Sequence, residues 1–587
     1  MKNFQLLIGC SLLFCIQSYA QYNFKLPSHF RVQRELPLVS METQMDVKIR
    51  DYGAIPNDGM DDGKAINSAL EMAKKLSKSG VNVRVVFEKG TYELFANGNK
   101  SHILNLEDAN NILLDGNEAE IIIRDPYSGF LSIMKSKNII VQDLFIDYDP
   151  LPFTQGIVVA VDAKNKSIDV KVDEGFPLFS HQMFQKATQV WGMLKDPNVP
   201  GKLKDGAQNL FGSKDFTDLG NRVFRIKFQN AGLTRFVEVG DPYVHIARSN
   251  GVTIFRSAGS KNITYLNNTN YASPAGSYNA NNMQEWNIIG GKIKLKPGRL
   301  HSANADCVHV NGGEIGPWIE NCMFEGYSDD AVNMKAFKIV ILKQLSPTEI
   351  VVKQSVKKGD VLRIFNPRDG VLIGDYVVAN NKPNRGDGME ITLNKPLEVK
   401  LKTGENKLSD VIYLDNKCNE SFVIRGNTFK NARRYGLLLQ NSYGLIERNL
   451  FENLSQSGIT IYNGVDWGEG FIASNIVINQ NIFNNCGYDF AYQSQQENPA
   501  TIRIIVNKLK NLEAEGKWNG TTRSEWQGVN NIAITNNTFS YNIRALHIQC
   551  TTNTLIKGNR FIRNSNDLAK EHEIMTEDNN SNLVFDN

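Results

Sequence analysis

The sequence has no marked excess of charge of either sign. Its 65 lysine and arginine residues nearly balance 62 aspartate and glutamate residues, so the formal net charge at pH 7 is +3 over 587 residues. Proteins that bind nucleic acid or a strongly anionic polymer usually need a broad basic surface, because the charges of the partner must be neutralised. The near balance therefore argues against both kinds of partner.

Cysteine is scarce as well. Seven cysteines are present, two of them within the first 20 residues. The other five are Cys307, Cys322, Cys418, Cys486 and Cys550. Their number is odd and their spacing matches no zinc-binding pattern. We therefore predict buried free thiols rather than a disulfide framework, and neither a metal site nor a cofactor.

Long apolar runs are missing beyond the N-terminus. After Ile16 no stretch approaches the roughly 20 apolar residues of a membrane-spanning helix, so no span is predicted. The apolar run that begins at Leu6 is followed by Ser18-Tyr19-Ala20, a small-x-small cleavage site. Residues 1–20 are thus predicted to be a signal peptide of a secreted or periplasmic protein. A lipoprotein site at Cys10 is disfavoured, because few apolar residues precede it.

What the chain does contain is a repeat. Six segments share β-branched residues, then a small or polar residue, then a phenylalanine: Ile319–Phe324, Ile424–Phe429, Ile446–Phe451, Ile478–Phe483, Ile534–Phe539 and Ile556–Phe561. Phe429 and Phe451 are 22 residues apart, and so are Phe539 and Phe561. A constant period of this length indicates a solenoid, whose units bury their apolar face only by stacking.

The type of solenoid follows from the composition of the repeat. Leucine-rich repeats have a similar period, but they need a leucine consensus and a helical return, which are missing here. Short valine- and isoleucine-rich runs separated by asparagine and glycine favour an all-β fold, a right-handed parallel β-helix. Asparagine would occupy the turns and phenylalanine the interior. Cys322 stands in the asparagine position of its coil and is predicted to be structural.

Interruptions of the period predict the domain organisation. After the signal peptide we expect an N-terminal cap with the first coils at 21–155, and central coils at 240–334. Two small inserted β-barrel modules would occupy 156–239 and 335–415, and the C-terminal coils 416–587. Residues 503–516, within a shorter insertion, have the spacing of a helix.

Three aspartates have the spacing of a catalytic site. Asp306 precedes Asp329 and Asp330 by 23 and 24 residues, close to one coil, so the three carboxylates would stack on one wall of the solenoid. Stacked carboxylates repel each other, and one then keeps its proton. An acid and a base of one residue type are what glycosidic bond cleavage needs. An isolated Asp-Asp pair that opens a turn is the alternative reading.

Two resemblances add to this reading. Val47–Ala54 with Asp61–Ile66 resembles the opening of pectin-lyase-like β-helix proteins, which implies a capping helix at 62–77. Four further segments resemble, in order, those of glycoside hydrolase family 110: His301–His309, Asp329–Asn333, Asn431–Leu438 and Asp466–Gly470. This second resemblance covers most of residues 45–565. It implies an inverting exo-α-galactosidase for terminal α-1,3-linked galactose, on a β-helix with β-barrel insertions.

The resemblance also implies roles. By similarity to the related polygalacturonase family 28, Asp329 is the general acid, and Asp306 with Asp330 activates the water. Candidate sugar-binding residues are His301, His309, Arg433, Arg434, Trp467 and Glu469, with one of the two arginines in the cleft and the other at the surface. Acid and base on neighbouring coils would leave roughly 6.5–9.5 Å between carboxyl groups, the separation typical of inversion.

Other functions remain open at this point. A polygalacturonase-like hydrolase would use the same aspartates. A polysaccharide lyase on this scaffold would need a lysine or arginine base, often with calcium, where this chain has acids. A glycan-binding protein without activity would give the aspartate cluster no purpose. In each case the partner is a glycan, and the sequence leaves the oligomeric state open, a homodimer included.

Overall fold

The computed structural model describes residues 26–96, 101–207, 211–230, 234–249, 252–384, 386, 388–471, 473–489, 500–510, 520–564 and 574–587. The predicted signal peptide lies outside this range. Most described residues form a parallel β-helix, in which 32 strands are joined by pairing between successive coils. The predicted all-β fold class is confirmed.

The β-helix is built from three runs of coils. Strands of the N-terminal run are Met45–Lys48, Val83–Val86, Thr91–Leu94, His102–Glu107, Asn110–Ile123, Gly129–Met134 and Lys137–Tyr148. Strands of the central run are Phe255–Ala258, Lys261–Leu266, Thr269–Asn270, Tyr278–Ile289, Lys292–Ile293, Val308–Gly313, Trp318–Glu320, Met323–Glu325 and Val332–Lys335. Strands of the C-terminal run are Phe422–Arg425, Thr428–Ala432, Leu437–Leu439, Ser442–Glu447, Leu450–Leu454, Ile459–Tyr462, Ser474–Asn479, Ile482–Cys486, Ile502–Ile505, Val529–Thr535, Thr538–Tyr541, Leu546–Gln549, Thr551–Lys557, Arg560–Arg563, Met575–Asp578 and Ser581–Asp586.

Helices are few among the described residues. The α-helix Gly63–Ser77 packs against the first coil, as the resemblance to pectin-lyase-like proteins predicted, and its buried face includes Ile66 and Leu70. The other helical segments are short: the 3-10 turns Ile49–Tyr52 and Asp415–Lys417, and the α-helix Gln182–Lys186. None of the described helices has the length and apolar character needed to cross a membrane.

Asparagine side chains connect each C-terminal coil to the next. Asn449 donates from Nδ2 to the carbonyl of Ile424 at 2.9 Å, and its Oδ1 accepts the backbone N–H of Asn427 at 3.0 Å. The same pattern recurs at four more asparagines: Asn427, Asn481, Asn537 and Asn559. These buried amides satisfy backbone groups that the turns leave unpaired. Cys322 takes the first asparagine position, as predicted, and donates its N–H to Asn427 at 2.9 Å.

Phenylalanines of the repeat stack through the interior. From Phe324 to Phe561 the centroids of neighbouring rings lie 4.8–5.1 Å apart and the rings are nearly parallel. This distance is close to the spacing between strands. One buried ring per coil therefore holds the coils in a single register, and the predicted roles of asparagine and phenylalanine agree with the structure.

Two modules interrupt the coils. Six antiparallel strands close into a barrel in the second module: Lys338–Gln344, Glu349–Val352, Val361–Asn366, Val371–Pro383, Met389–Leu393 and Val411–Leu414. The first module is a seven-stranded antiparallel sheet: Phe153–Asp162, Ser167–Val172, Gln189–Leu194, Phe211–Gly212, Asp215–Asp218, Val223–Lys227 and Pro242–Arg248. Its two edge strands, Phe211–Gly212 and Asp215–Asp218, are only two residues apart in the chain, and they pair with Gln189–Leu194 and with Val223–Lys227 respectively. The same segment of chain therefore joins the two edges of the sheet, and the strand order does not contradict the barrel expected at 156–239. The sheet extends beyond both expected boundaries.

The helix expected at 503–516 is wrong where the structure describes it. Ile502–Ile505 continues a coil, and Asn507–Leu509 pairs antiparallel with Thr521–Arg523. All four residues of Ile502–Ile505 are buried, as expected for a short strand that is covered on both faces. Residues 511–519 lie outside the described residues.

An N-terminal strap, residues 26–41, runs along the outside of the central and C-terminal coils. Its apolar side chains pack on a row of buried residues that includes Trp318 and Leu445. The buried Arg34 donates to the carbonyls of Gly316 and Ser421, both at 3.0 Å. The strap therefore covers the sheet on both sides of the barrel insertion, a contact that the sequence did not predict.

The five described cysteines are free and buried, as predicted. Burial raises the pKa of the Cys322 and Cys486 thiols to about 12. A thiol that stays protonated reacts slowly. These residues are therefore part of the packed interior.

The asparagine ladder generates a stability prediction. Asn449→Ala leaves the Ile424 carbonyl and the Asn427 N–H buried without partners, so we expect the free energy of unfolding to fall by about 1–3 kcal/mol. Urea titration followed by circular dichroism measures the loss. Asn484→Ala is the control, since this half-buried amide bonds only the Glu452 side chain. Equal losses in the two variants would contradict the role of the ladder.

Candidate active site

Three aspartates converge where two successive coils lie side by side. Val308 pairs with Val332 in parallel register, so Asp306 and Asp330, two residues before each, are neighbours across the coils. One oxygen of each carboxyl group, Asp329 included, lies within 4.8 Å of the others. The structure thus brings together the three residues whose interval predicted a shared wall. The distance between these oxygens is shorter than the separation of carboxyl groups that we expected.

A sharp bend allows two adjacent side chains to reach one site. In a flat strand, Asp329 and Asp330 would point to opposite faces. Residues 326–330 instead form an irregular turn before the strand Val332–Lys335. Gly326 has a left-handed backbone with φ 76°, and a Cβ there would lie 2.4 Å from the Leu295 side chain. This position therefore requires glycine.

Asp329 is held by arginines from two distant parts of the chain. Arg248 Nη1 donates to its Oδ2 at 2.7 Å, and Arg434 Nη1 donates to its Oδ1. Burial alone would raise the pKa of Asp329, but the charges of Arg434, Arg248 and Arg433 outweigh it and hold the pKa well below its usual value. Asp329 is therefore a permanent anion at neutral pH.

Asp330 has the opposite environment although it is the next residue. Its side chain is almost fully enclosed, and Asn333 Nδ2 donates to its Oδ2 at 3.2 Å. Burial raises the pKa of Asp330 well above its usual value; Arg434 opposes this effect, and the nearby Asp306 and Asp329 add to it. Asp330 is thus the carboxyl group of the cluster that keeps its proton.

Asp306 is oriented by two hydrogen bonds. Its Oδ1 accepts the backbone N–H of Asp330 at 3.1 Å, and its Oδ2 lies 2.7 Å from His309 Nδ1. The Asp330 N–H donates to one carboxylate oxygen of Asp306, and the His309 ring nitrogen lies within hydrogen-bond distance of the other. A carboxylate held in this way, beside a histidine, has the geometry of a general base.

A cavity of about 320 Å³ opens beside Asp306. Its walls include small residues and polar side chains: Arg248, Thr253, Arg256, Ala275, Gly276, Asn279, Ala305, Asp306 and His309. Gly276 lies next to Asp306, and a Cβ there would lie 2.6 Å from the Asp306 carbonyl. The small residues leave room for a ligand next to Asp306, the carboxylate of the cluster that lines this cavity.

The positions of the adjacent residues Arg433 and Arg434 differ in part from our expectation. Arg434 bonds Asp329 and lies 3.4 Å from Asp330 Oδ1, so it is the arginine of the site. Arg433 is buried and is not the surface charge that we expected. Its Nη1 donates to the Ser328 carbonyl, which supports the turn that carries the aspartates.

The first inserted module contributes residues that the sequence analysis missed. Arg248 ends its last strand, and Trp191 lies in its third. The guanidinium groups of Arg248 and Arg433 both lie over the Trp191 ring, at 5.3 and 5.2 Å from its centroid. No local signal marks Arg248, because 81 residues separate it from Asp329.

Trp467 and Glu469 lie in a loop held by the barrel module. Lys338 Nζ donates to the Gly468 carbonyl at 2.7 Å, and Lys407 Nζ lies 5.6 Å from the Trp467 ring centroid. Glu469 pairs with Lys335 at 2.5 Å. Trp467 is 60% exposed, so its ring is free to stack on a sugar.

His301 does not belong to the site. It is completely buried, its Nε2 lies 3.1 Å from Asn304 Oδ1, and its ring packs edge-on against Phe153 at 5.0 Å. Burial lowers the pKa of His301 well below its usual value, so the ring is neutral. The expectation that His301 binds sugar is wrong, because its ring is enclosed in the contact between its coil and the first inserted module.

The three carboxylates also have a spacing that a cation could use. Both oxygens of Asp329 already accept hydrogen bonds from arginines, however, so only Asp306 and Asp330 could offer further ligand atoms. Calcium takes six to eight oxygen ligands and magnesium six. The cluster suits proton transfer better than metal binding.

Comparison with known protein families agrees with this fold. A family model described as "Right handed beta helix region" matches residues 410–503. Alpha-1,3-galactosidase B of Akkermansia muciniphila is 22% identical over 88% of this chain and 66% of its own length. Alpha-1,3-galactosidase A of Streptomyces avermitilis is 23% identical over 75% of this chain and 78% of its own length.

Among solved structures, the family 28 exopolygalacturonase of Yersinia enterocolitica has a TM-score of 0.42 and 13% identity, covering 93% of this chain and 79% of that chain. A likeness of this size adds nothing to the sequence comparison. The relatives and the family model confirm that the chain is a right-handed β-helix protein similar to glycoside hydrolase family 110.

The ion pairs of Asp329 generate a stability prediction. Asp329→Asn removes the carboxylate with which the half-buried Arg248 and Arg434 both pair, so we expect the free energy of unfolding at pH 7 to fall by about 3–5 kcal/mol. Because the native pKa is lowered, this contribution exists above the unfolded pKa and disappears as pH falls through the native one. The wild-type advantage should therefore shrink in acid.

The control for this prediction is Asp46→Asn, the same chemical change in an exposed pair with Arg84. Solvent screens that pair, so its loss should be much smaller at every pH. Urea titrations between pH 3 and 7 provide the measurement. A wild-type advantage for Asp329 that is constant over this range would contradict the assigned charge.

Proposed function

We propose that this protein is a glycoside hydrolase that removes terminal α-linked galactose from glycans, in the manner of an α-1,3-galactosidase. The observation that carries the proposal is the cluster of Asp306, Asp329 and Asp330, in which Asp306 lines a cavity and the enclosed Asp330 keeps its proton. Acid and base on the two sides of a glycosidic bond are what hydrolysis needs. The names of the relatives support galactose as the sugar.

In the proposed mechanism Asp330 replaces Asp329 as the general acid. Asp329 has no proton to donate at neutral pH, because arginines hold its carboxyl group in the charged form. Asp330 retains its proton at that pH. Asp330 gives its proton to the glycosidic oxygen as the bond to the sugar breaks. Asp306 takes a proton from the water that attacks the anomeric carbon. Asp329 remains charged and stabilises the positive charge that develops on the sugar.

We propose inversion of configuration on the strength of the resemblance to family 110. The short distance among the carboxylate oxygens gives this no support, because retaining enzymes have carboxyl groups about 5 Å apart. The anomer of the released sugar is therefore the measurement that decides. Within the site, Arg434, His309, Glu469 and Trp467 are the proposed contacts to sugar hydroxyls and to the ring face.

A polysaccharide lyase is the second candidate, and the site disfavours it. A lyase needs a basic residue free to remove a proton next to a carboxylate. The arginines nearest the aspartates, Arg248 and Arg434, are both ion-paired with Asp329.

We further propose a location outside the cytoplasm, from the sequence of residues 1–20.

The first functional test is hydrolysis itself. The purified protein is incubated with α-1,3-, α-1,4- and α-1,6-linked galactosides and with oligogalacturonides, and the initial anomer is followed by NMR. We expect free galactose from the α-1,3-linked substrate, released as the β-anomer. Unsaturated products would favour the lyase, and release of galacturonic acid alone would favour the polygalacturonase reading.

The second test distinguishes the two adjacent aspartates. Asp330→Asn should lower turnover of natural glycans by about 10²- to 10⁴-fold, but much less for a nitrophenyl leaving group, which barely needs protonation. Wild-type kcat/KM should fall as pH rises through the pKa of Asp330. In Asp329→Asn that alkaline limb should move to lower pH, because the charge of Asp329 helps to raise this pKa.

The control for the acid role is the dependence on the leaving group in each variant. If Asp329→Asn shows the strong dependence and Asp330→Asn loses equal activity on both substrate types, Asp329 is the acid after all. The Asp306→Asn variant should lose activity on both substrate types alike, since its role does not involve the leaving group.

A further inference from the structure

Arg256 occupies an unusual position in the cavity beside Asp306. It lies on the strand Phe255–Ala258, where it pairs with Asn279, and Asn279 in turn pairs with His309. All three residues line the cavity. Arg256 is thus two strands from His309, about 10 Å away across the wall. His309, Asn279 and Arg256 therefore form a row along the wall of the cavity, and this row runs from Asp306 to Arg256.

Arg256 differs from its neighbour Arg248 in having no partner. Arg248 is ion-paired with Asp329 at 2.7 Å. Within the described residues Arg256 makes no ion pair and no side-chain hydrogen bond, and its side chain is exposed to the cavity and solvent. Its positive charge is felt by the buried His102, where burial and then the charge of Arg256 lower the pKa to about 4. Within the described part of the chain, the charge of Arg256 thus has no ion-pair partner.

The charge around the site is unbalanced although the chain as a whole is nearly neutral. Four arginines, Arg248, Arg256, Arg433 and Arg434, surround or adjoin three carboxyl groups, and Asp330 retains its proton in the proposed mechanism. Asp466 also faces Arg434, so no more than three anions face these four cations. A cavity with low-dielectric walls strengthens such an imbalance.

We propose that the sugar bound in this cavity carries an anionic substituent, a sulfate ester or a carboxylate, that pairs with Arg256. The inference rests on the proposed function and narrows its substrate class to an anionic α-galactoside. Arginine matches both anions with two parallel hydrogen bonds. Asp306 and His309 lie at the end of the cavity where the bond is cleaved, so the substituent sits on the side of the ring away from that bond.

Three substrates with one leaving group test the proposal: 4-nitrophenyl α-galactoside, its 6-O-sulfate and 4-nitrophenyl α-galacturonide. Initial rates of the full-length protein give kcat/KM for each. We expect one of the two anionic substrates to exceed the neutral one, which also identifies the anion. Arg256→Gln should reduce the ratio of anionic to neutral kcat/KM by about 10- to 100-fold. Arg256→Lys should restore only part of it, because a bidentate contact is lost.

Arg448→Gln is the matched control, since this exposed arginine lies on a C-terminal coil and donates a hydrogen bond to Gln480. It should leave the ratio unchanged. Raising the salt concentration should weaken the wild-type preference. A preference for the neutral substrate over both anionic ones, or an equal loss on all three in Arg256→Gln, overturns the inference while the proposed function stands.

Binding separates this inference from the catalytic proposal. Calorimetry with galactose, galactose 6-sulfate and galacturonate needs no turnover. We expect the wild type to bind one anionic sugar at least tenfold more tightly than galactose, and Arg256→Gln to abolish that difference. If none of the substrates is hydrolysed but this difference is found, the proposed function fails and the anion site remains. Equal affinity for all three sugars rejects the site.

Discussion

The register between coils is the constraint on which this structure depends. Asparagine amides such as Asn449 bond the backbone of the coils on both sides, and one buried phenylalanine per coil stacks on the next at about the strand spacing. A slip by one residue would turn every interior side chain outward. Because the register holds over many coils, residues one coil apart in sequence are neighbours in space, and Asp306 meets Asp330.

That register forces like charges together, and the rest of the site compensates for it. Three enclosed carboxyl groups cannot all be ionised without cost. The chain resolves the conflict unevenly, with hydrogen bonds from two arginines to Asp329, but only an amide hydrogen bond and a guanidinium nitrogen at 3.4 Å for Asp330. Adjacent residues thereby acquire opposite protonation. One of these arginines, Arg248, comes from the first inserted module, so the insertion takes part in the electrostatics of the site.

The fold and the location of the site could be predicted because both depend on periodic, local patterns. The interval between Asp306 and Asp330 required only the coil length. The errors have a different origin. His301 looked like a ligand from its distance along the chain, yet it is buried against Phe153 of an insertion. The first module extends beyond both predicted boundaries, because alternating strands do not reveal where an insertion begins and ends. The contacts of the N-terminal strap join residues several hundred positions apart and leave no local signal.

The amino-acid sequence by itself determined the β-helix, the stacking of asparagine and phenylalanine, and the meeting of the three aspartates, since each follows from one repeat length. Only the tertiary structure decided which aspartate keeps its proton, which arginine enters the site and which remains unpaired. Those properties depend on burial and on charges brought in from other coils and from the insertions. Net charge, which is close to zero for the chain, cannot show that Arg256 faces a cavity and has no counter-charge among the residues that the structure describes. Protonation and specificity are set by short distances in space between residues far apart in sequence.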